Sequence, residues 1–289
     1  MSSTVLDAAI CLLLVSAAVG TLATVDASDA RSRHRAVDAD TETLATATAT
    51  VNYTLGPGAH EASGTNVSFP DARGPEFDRT THGPLAGLLA DAALGRVAVD
   101  GEQVTHARAD LVAGVRSAVG AAVGGARTQV VADWRPYAGA PVGGRVTVGD
   151  DPPPDTDVNA ARVAVGRGES VDESRAERAA TRGYGPLSRL LAGRTVATLL
   201  PPEAMRFALG ADYPVSALVR HRYRRVADLT GVELGPLDRE RVGRSNARIE
   251  RALARRFERD LRARYSSPAA AARTARVGEV RIVVRRWSA

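Results

Sequence analysis

The pattern of apolar and polar residues divides the chain into three parts. Residues 1–27 are mostly apolar, residues 28–82 are rich in Thr, Ser, Gly and Asp, and residues 83–289 alternate between helical and strand-like periodicity. The order of strand, helices, paired strands, helices and strand is typical of α+β proteins, in which helices cover a sheet. The sequence therefore predicts an α+β body, with a small antiparallel sheet packed against several helices, that follows an N-terminal helix and a stalk.

In the first half of the chain, the predicted elements are short. Residues 46–55 alternate with the period of two that is typical of a strand, whereas residues 56–82 carry turn-forming residues and predict a loop. Apolar residues three or four apart predict a helix over residues 85–94 and a longer helix over residues 106–134. Between these helices, "RVAVDG" predicts a short strand that ends in an Asp-Gly turn.

The second half is predicted to begin with a β-hairpin, to continue as helices and to end in a strand. Residues 143–166 contain two alternating stretches around a proline-rich loop, the pattern of a hairpin. Residues 278–287 alternate again and predict a terminal strand, which we expect to join the first strand and the hairpin in one sheet. Residues 170–275 are predicted to be helical, with helices over residues 172–180, 186–200, 202–209, 215–229 and 236–265.

The apolar opening segment is long enough to span a membrane. Residues 8–25 are 18 consecutive residues without a charge, and a helix of that length rises roughly 27 Å, close to a hydrocarbon thickness of about 30 Å. Its large aliphatic side chains favour transfer into lipid. The residues predicted to form this membrane anchor are Ile10, Leu12, Leu13, Leu14, Val15, Val19 and Leu22.

Two other interpretations of this segment remain open at this point. A cleaved signal peptide is compatible with the small residues around Val25-Asp26-Ala27, although no basic residue precedes the apolar run. A buried helix of the body is compatible with the composition, although the run is apolar on all faces and a segment rich in Asp and Arg follows it. We favour a retained single-pass anchor, on which Ser16 and Gly20, four residues apart, would let another helix approach closely.

The composition excludes several kinds of chemistry. The chain has no lysine, so its 38 basic residues are all arginine, and neither a Schiff base nor a P-loop lysine can form. Cys11 is the single cysteine, which excludes an internal disulfide. The five histidines are scattered, and the motifs of serine hydrolases, nucleotide-binding loops and zinc sites are missing. We therefore predict no catalytic, cofactor-binding or metal-binding residues, and a protein that is not an enzyme.

Arginine has the clearest pattern of any residue type. Residues 220–265 contain 14 arginines and seven acidic residues, whereas the whole chain carries a net charge of +5. This segment is interpreted in three ways: as a solvated face with ion pairs within a helix, as a surface for anionic lipid, or as a nucleic-acid contact. Few aromatic residues accompany the arginines, which makes nucleic acid the least favoured partner.

Two sets of residues carry these interpretations. The expected ion pairs within a helix are Glu240–Arg244, Glu258–Arg262 and Asp260–Arg264. The candidate contacts with an anionic surface are Arg220, Arg222, Arg224, Arg225, Arg255 and Arg256.

The orientation of the body relative to the membrane is indicated by two opposing signals. Arg31, Arg33 and Arg35 follow the apolar run, which favours a cytoplasmic body. Asn-X-Ser/Thr triplets at Asn52 and Asn66 are candidate glycosylation sites, which favour a body outside the cytoplasm.

Four stretches carry a resemblance to a known group of proteins: "STVLDAAICLLLVSAAVGTL", "GRVTVGDDPPPDTDVNAARVAVG", "PLSRLLAGRTVATLLPPEAMRFALGADYPVSALVRHRYRRVADLTG" and "VGEVRIVVRRWS". The chain resembles haloarchaeal membrane-anchored proteins of unknown function that occur with type IV pilus or Tad-like secretion machinery. The resemblance implies a pseudopilin-like or accessory role, an extracytoplasmic body, and membrane lipid and proteins of that assembly as partners. It also implies that Asp7 neutralises the N-terminal amine of a neighbouring subunit, as an early acidic residue does in pilins.

Overall fold

A computed structural model describes residues 35–62, 74–168 and 171–288 of the chain. The predicted membrane anchor, with Asp7, Ser16 and Gly20, lies outside these residues, and so does Asn66. Within the described residues the α+β class is confirmed, because helices pack together with two antiparallel sheets.

The first described residues form a two-stranded sheet with a helix on either side of its first strand. Helix α1 covers residues 35–46, followed by β1 (Thr48–Thr54), α2 (Gly56–Ala62) and β2 (Asp78–Pro84). Strand β1 is the predicted first strand, and it pairs antiparallel with β2. Both α2 and β2 lie where the sequence predicted a loop. No side chain of β2 is fully buried, so its sequence lacks the apolar alternation by which a strand is recognised.

This N-terminal region is part of the folded body. Val37 and Leu44 of α1 are fully buried, Val51 of β1 is 5% exposed, and all three belong to the same hydrophobic core as the later helices and strands. The described part of the segment that was predicted as a stalk, from residue 35 onward, therefore contributes apolar surface to the fold.

The main sheet has six antiparallel strands in the order β4-β3-β6-β5-β8-β7. The strands are β3 (Ala98–Val99), β4 (Glu102–Gln103), β5 (Thr128–Trp134), β6 (Val142–Val148), β7 (Val158–Gly166) and β8 (Glu279–Trp287). The predicted Asp-Gly turn joins β3 to β4, and Asp100 and Gly101 both have positive φ, as a tight hairpin turn requires. The predicted terminal strand is confirmed as β8, which lies inside the sheet between β5 and β7.

The structure corrects three of the predictions about the sheet. Strands β6 and β7 are not a hairpin, because β5 and β8 lie between them. The predicted first strand does not join the main sheet but pairs with β2 in the separate two-stranded sheet. The long helix predicted over residues 106–134 ends at Val123, as α4 (Ala109–Val123), and its predicted second part is strand β5.

The remaining helices agree closely with the predicted ones. They are α3 (Leu85–Gly95), α5 (Glu173–Ala180), α6 (Tyr184–Leu199), α7 (Pro202–Leu209), α8 (Val215–Thr230), α9 (Val242–Arg264) and α10 (Pro268–Ala272). Helix α8 ends at Gly231, whose φ of 66° lies in the left-handed region that terminates helices. Helix α9 starts six residues later than predicted, after a segment in which the side chain of Asp238 accepts a hydrogen bond from the backbone of Arg241.

Helix α3 occupies the centre of the molecule. Eight of its 11 residues are buried, and it packs on β5, β6, β7 and β8. Small Ala residues let its backbone approach the sheet, while Leu85, Leu88 and Leu89 fill the space around it. Each buried leucine stabilises the fold by roughly 2 kcal/mol relative to an exposed one. The small-residue composition of the chain is therefore used for close helix–sheet packing.

An ion pair between Asp40 of α1 and Arg286 of β8 connects the first helix to the last strand, with Nε of Arg286 2.8 Å from Oδ2 of Asp40. Burial raises the pKa of Asp40, and the opposing effect of Arg286 is smaller. Because the folded state then binds the proton more tightly than the unfolded chain, the stability that this proton contributes is present at low pH and is lost as the pH rises through the folded-state pKa.

We therefore expect the Asp40→Asn variant to gain stability relative to the wild type as the pH rises from about 3 to about 7, since asparagine does not ionise. Urea unfolding of both proteins at each pH measures the difference. A stability difference that stays constant across this range would show that Asp40 has no raised pKa in the folded state.

Candidate anion-binding site

Helix α9 is strongly amphipathic. It is composed mainly of good helix formers such as Arg, Ala, Glu and Leu, and it ends at Arg264, followed by Tyr265 in an extended conformation. Ile249, Leu253, Phe257 and Leu261 are buried, and the ring of Phe257 makes an edge-to-face contact with Tyr137 at 5.3 Å between centroids. The same helix packs extensively on α6. Its orientation is fixed by this packing.

Seven arginines follow one another along the outer face of α9 at intervals of three or four residues, the first of them at the N-cap of the helix. We call them the arginine row: Arg241, Arg244, Arg248, Arg251, Arg255, Arg259 and Arg262. At 3.6 residues per turn they fall within an arc of about 80°, and from first to last they extend over roughly 32 Å. All seven are exposed. The row therefore forms a straight line of positive charge on a rigid support.

Three of the seven arginines in the row have partners within the described residues. Arg241 lies 3.3 Å from Asp238, and Arg248 donates to the carbonyl oxygen of Glu233 at 3.2 Å. Arg262 pairs with Glu258 at 2.7 Å and stacks over the ring of Tyr184. The other four arginines make no ion pair and no hydrogen bond within the described part of the chain; they are Arg244, Arg251, Arg255 and Arg259.

Three shallow cavities open beside the row. A cavity of about 480 Å³ at its C-terminal end is lined by Arg255, Arg256, Arg259 and Arg262, together with Glu258. Two smaller ones, of about 290 and 350 Å³, adjoin at the segment Gly235–Pro236, which lines both. Guanidinium groups bind tetrahedral and planar oxyanions through paired hydrogen bonds, and several around one cavity favour an anion there.

The two smaller cavities are lined by arginines of two helices, α9 and α8. Arg241, Arg244 and Arg248 of the row line the first of them. Arg220 and Arg224 of α8 line the second, above the buried ring of Tyr223. Tyr223 donates to Asn246 at 2.7 Å, and Asn246 donates to the carbonyl oxygen of Leu200, so the floor of the site is tied to α9 and to the end of α6.

Comparison with known proteins identifies a family for this sequence. The profile of DUF7284, a family of unknown function, matches residues 6–287. The chain belongs to this family. The match of DUF7284 includes the apolar opening segment as well as the whole body with its arginine row. A search of curated proteins and a search of solved structures each found no match.

The six arginines predicted as anionic contacts of this DUF7284 chain separate into different environments. Arg220 and Arg224 line a cavity, and Arg255 belongs to the row. Arg225 lies 3.3 Å from Glu102 and donates to the carbonyl oxygen of Gln103, so it contacts the β3–β4 hairpin. Arg256 binds Asp100 in the turn of the same hairpin and donates to the carbonyl oxygen of Leu229 at 3.1 Å.

Arg222 is the sixth of these residues, and its side chain points into the molecule. Its Nε is buried and makes no hydrogen bond with the described residues. Burial, and to a smaller extent the neighbouring charge of Arg108, lowers the pKa of Arg222 to about 10. At neutral pH it is still charged, and the residue is half-buried, with its Nε out of contact with solvent.

The ion pairs predicted within this region are found in part. Arg264 lies 3.1 Å from Asp260, and Arg262 pairs with Glu258 as described above, so both pairs are confirmed. The pair Glu240–Arg244 is not formed among the described residues, because Glu240 precedes the first turn of α9.

Six members of the arginine row were not among the predicted anionic contacts, although Arg244 and Arg262 were expected in ion pairs. Only Arg255 was a candidate, although the spacing of three and four residues from Arg241 to Arg262 is visible in the sequence. The apolar positions of the helix indicate where its buried face lies, and the arginines fall on the opposite side. Plotting the charged residues on the same helical wheel would have found the row.

Other candidate sites give simpler results. Asn52 is exposed on β1, where its Oδ1 accepts a hydrogen bond from Thr80 at 2.8 Å. In the part of the chain that the structure describes, no three His, Cys, Asp or Glu side chains are close enough to hold a metal ion. Over the same residues, no helix combines the length and apolar character that crossing a membrane requires.

Proposed function

We propose that this protein is a non-enzymatic, membrane-anchored component of a cell-surface assembly, of the pilus-like or secretion type, with its body outside the cytoplasm. The body contacts an anionic partner through the arginine row. The observation that carries the proposal is the row itself, because four of its seven arginines have no partner in the described structure and are not explained by the packing of the fold.

Two further features support a role in binding. The row is carried by a helix whose opposite face is buried, so its side chains are arranged before a partner arrives and little backbone order is lost on binding. A surface that acts through charge also speeds encounter with an oppositely charged partner. These are properties of a contact surface.

The apolar opening segment supports anchoring at a membrane. Its 18 uncharged residues suit a bilayer in length, and the family match includes them from residue 6. Ser16 and Gly20 on the same segment would permit close packing with a helix of another protein. An anchor of this kind would place the body beside the other proteins of a surface assembly.

Fractionation of cells that express the full-length protein tests the proposal. We expect the protein in the membrane pellet after an alkaline wash, and we expect a variant without residues 1–27 in the supernatant. Protease added to intact cells should digest the body. A full-length, unprocessed protein in the supernatant would refute the anchor, and a mature protein whose mass lacks the segment would indicate an exported binding module.

Crosslinking in the same cells tests the assembly. The double variant Ser16→Leu and Gly20→Leu keeps the segment apolar but fills the space between helices, so we expect fewer crosslinks to membrane partners. Equal crosslinking of the variant and the wild type would count against assembly through this segment.

The arginine row also favours a second candidate function, an adaptor that faces the cytoplasm and binds nucleic acid. Neutralising several phosphates makes such binding steeply dependent on salt. This candidate requires a body that is protected from external protease and that binds duplex DNA at low salt. A digested body or the absence of binding excludes it.

A further inference from the structure

We infer that the arginine row lies on the anionic headgroups of the same membrane that holds the N-terminal segment, so that α9 is parallel to the bilayer surface. This inference rests on the proposed function, because it requires the body to be held at a membrane. It identifies the partner of the row as phosphate-bearing lipid.

The shape of the row fits a flat partner. Its seven side chains lie on one narrow arc of one helix over roughly 32 Å, so they can all approach the same plane together. The cavities beside the row are shallow and open, and each is lined by at least two guanidinium groups. Such cavities suit single phosphates that project from a surface.

The chain between the anchor and the body is short enough to keep the body close to the membrane. Nine residues, 26–34, separate the apolar segment from the first described residue of α1. Even fully extended, they reach no further than about 32 Å. A tether of this length gives the body a high effective concentration at the membrane, so weak contacts by single arginines add up.

The surroundings of the row favour lipid over nucleic acid. Among the described residues that line the three cavities, Tyr223 is the aromatic one, and it is fully buried and bonded to Asn246. The cavities therefore offer phosphate contacts but, among the described residues that line them, no exposed ring on which a base could stack. The ring of Tyr184 at the end of the row is half-buried and covered by Arg262. Because the apolar face of α9 is buried in the body, the contact is electrostatic and requires no insertion of the helix.

Energy transfer in vesicles tests this inference on the full-length chain. The protein is reconstituted into neutral phosphatidylcholine vesicles, or into vesicles with about one third anionic phosphatidylglycerol, both containing dansyl-labelled headgroups. Trp134 and Trp287 of the body are the donors. We expect transfer to increase at least twofold in the anionic vesicles and to return to the neutral value at about 1 M NaCl, where charges are screened within about 3 Å.

Two variants with equal charge make the test specific. The row variant replaces Arg244, Arg251, Arg255 and Arg259 by Gln, and it should show the low transfer of neutral vesicles in both lipid mixtures. The control variant removes the same charge at four exposed arginines on other elements, which make no ion pair among the described residues; they are Arg116, Arg162, Arg182 and Arg189. The control should behave as the wild type, and circular dichroism verifies that both variants are folded.

The outcomes separate the inference from the proposed function. If the protein resists alkaline extraction from both kinds of vesicle but transfer is the same in each, the lipid contact is refuted and the anchor stands. If the protein is extracted from both and only the row variant fails to bind anionic vesicles, the anchor is refuted and the lipid contact stands. Binding of duplex DNA that needs the row, together with transfer that does not depend on anionic lipid, would overturn the inference in favour of nucleic acid.

Discussion

The Trp134→Ala variant should lose about 4 kcal/mol of unfolding free energy, the range expected when a fully buried aromatic side chain is truncated. Trp134 is 0% exposed and lies at the end of β5, where its neighbours across the sheet are Gly144 of β6 and Val280 of β8. Its Nε1 donates to the carbonyl oxygen of Val277 at 2.6 Å, just before β8 begins. The variant leaves a cavity and an unpaired carbonyl at the centre of the sheet.

Urea unfolding of the full-length protein in mild detergent measures this loss, with Trp287 as the remaining fluorescent probe. The Trp134→Phe variant is the control for the hydrogen bond, because it keeps most of the volume and leaves the carbonyl of Val277 unpaired. We expect it to cost about 1 to 3 kcal/mol, less than the alanine variant. A loss below about 1 kcal/mol for Trp134→Ala would mean that the ring does not connect these three strands.

Most helices could be predicted because their boundaries are marked by particular residues. Pro202 starts α7 and Gly231 ends α8, and each suits that position through its backbone geometry. Between such boundaries, the apolar residues repeat every three or four positions, as on α9. These signals are local, so one sequence is sufficient to read them.

Strand β5 was misread because it is buried on both faces. Six of its seven residues are buried, including Gln129 and Val131 on the face opposite Trp134. A strand of this kind has no polar alternation, and Val130, seven residues after Val123, continued the apolar face of α4. Gly124 and Gly125 between the two elements were the available sign of a break.

The strand order could not be read from the sequence either. The loop from Gly149 to Asp157 is long enough to pass over two strands, and strands lie about 4.8 Å apart, so nearness in sequence did not imply pairing. The strands that pair with β8, β7 and β5, lie about 120 and 150 positions earlier in the chain. Such pairings depend on tertiary packing.

The candidate site was predicted in its region but not in its members. The excess of arginine between residues 220 and 265 indicated the region, with an anionic contact as one of three interpretations. Charge counting alone did not separate Arg225 and Arg256, which contact the β3–β4 hairpin, from Arg244 and Arg251, which are free of partners in the described structure. That separation requires knowing which acidic residues the fold brings near each guanidinium.

Gly144 on β6 allows the sheet and the central helix to approach closely. A Cβ atom at this position would lie 2.0 Å from the carbonyl oxygen of Ala93 in α3, much closer than any van der Waals contact. The clash is with backbone, which cannot move aside as a flexible side chain can. Relieving it requires α3 and the sheet to separate, although Leu88 and Leu89 of α3 are packed in the core between them.

We expect the Gly144→Ala variant to lose about 3 kcal/mol of unfolding free energy, the upper part of the range for overpacking a buried site. Gly166→Ala is the matched control, since Gly166 ends β7 in the same sheet and a Cβ there would meet no atom within 4 Å. In a strand, alanine loses less entropy on folding than glycine, so the control should be neutral or slightly stabilising. Urea unfolding of both variants beside the wild type measures the two effects. Equal stability of the two variants would show that α3 and the sheet have room to separate, and the close contact at Gly144 would then not be what positions α3 in the core.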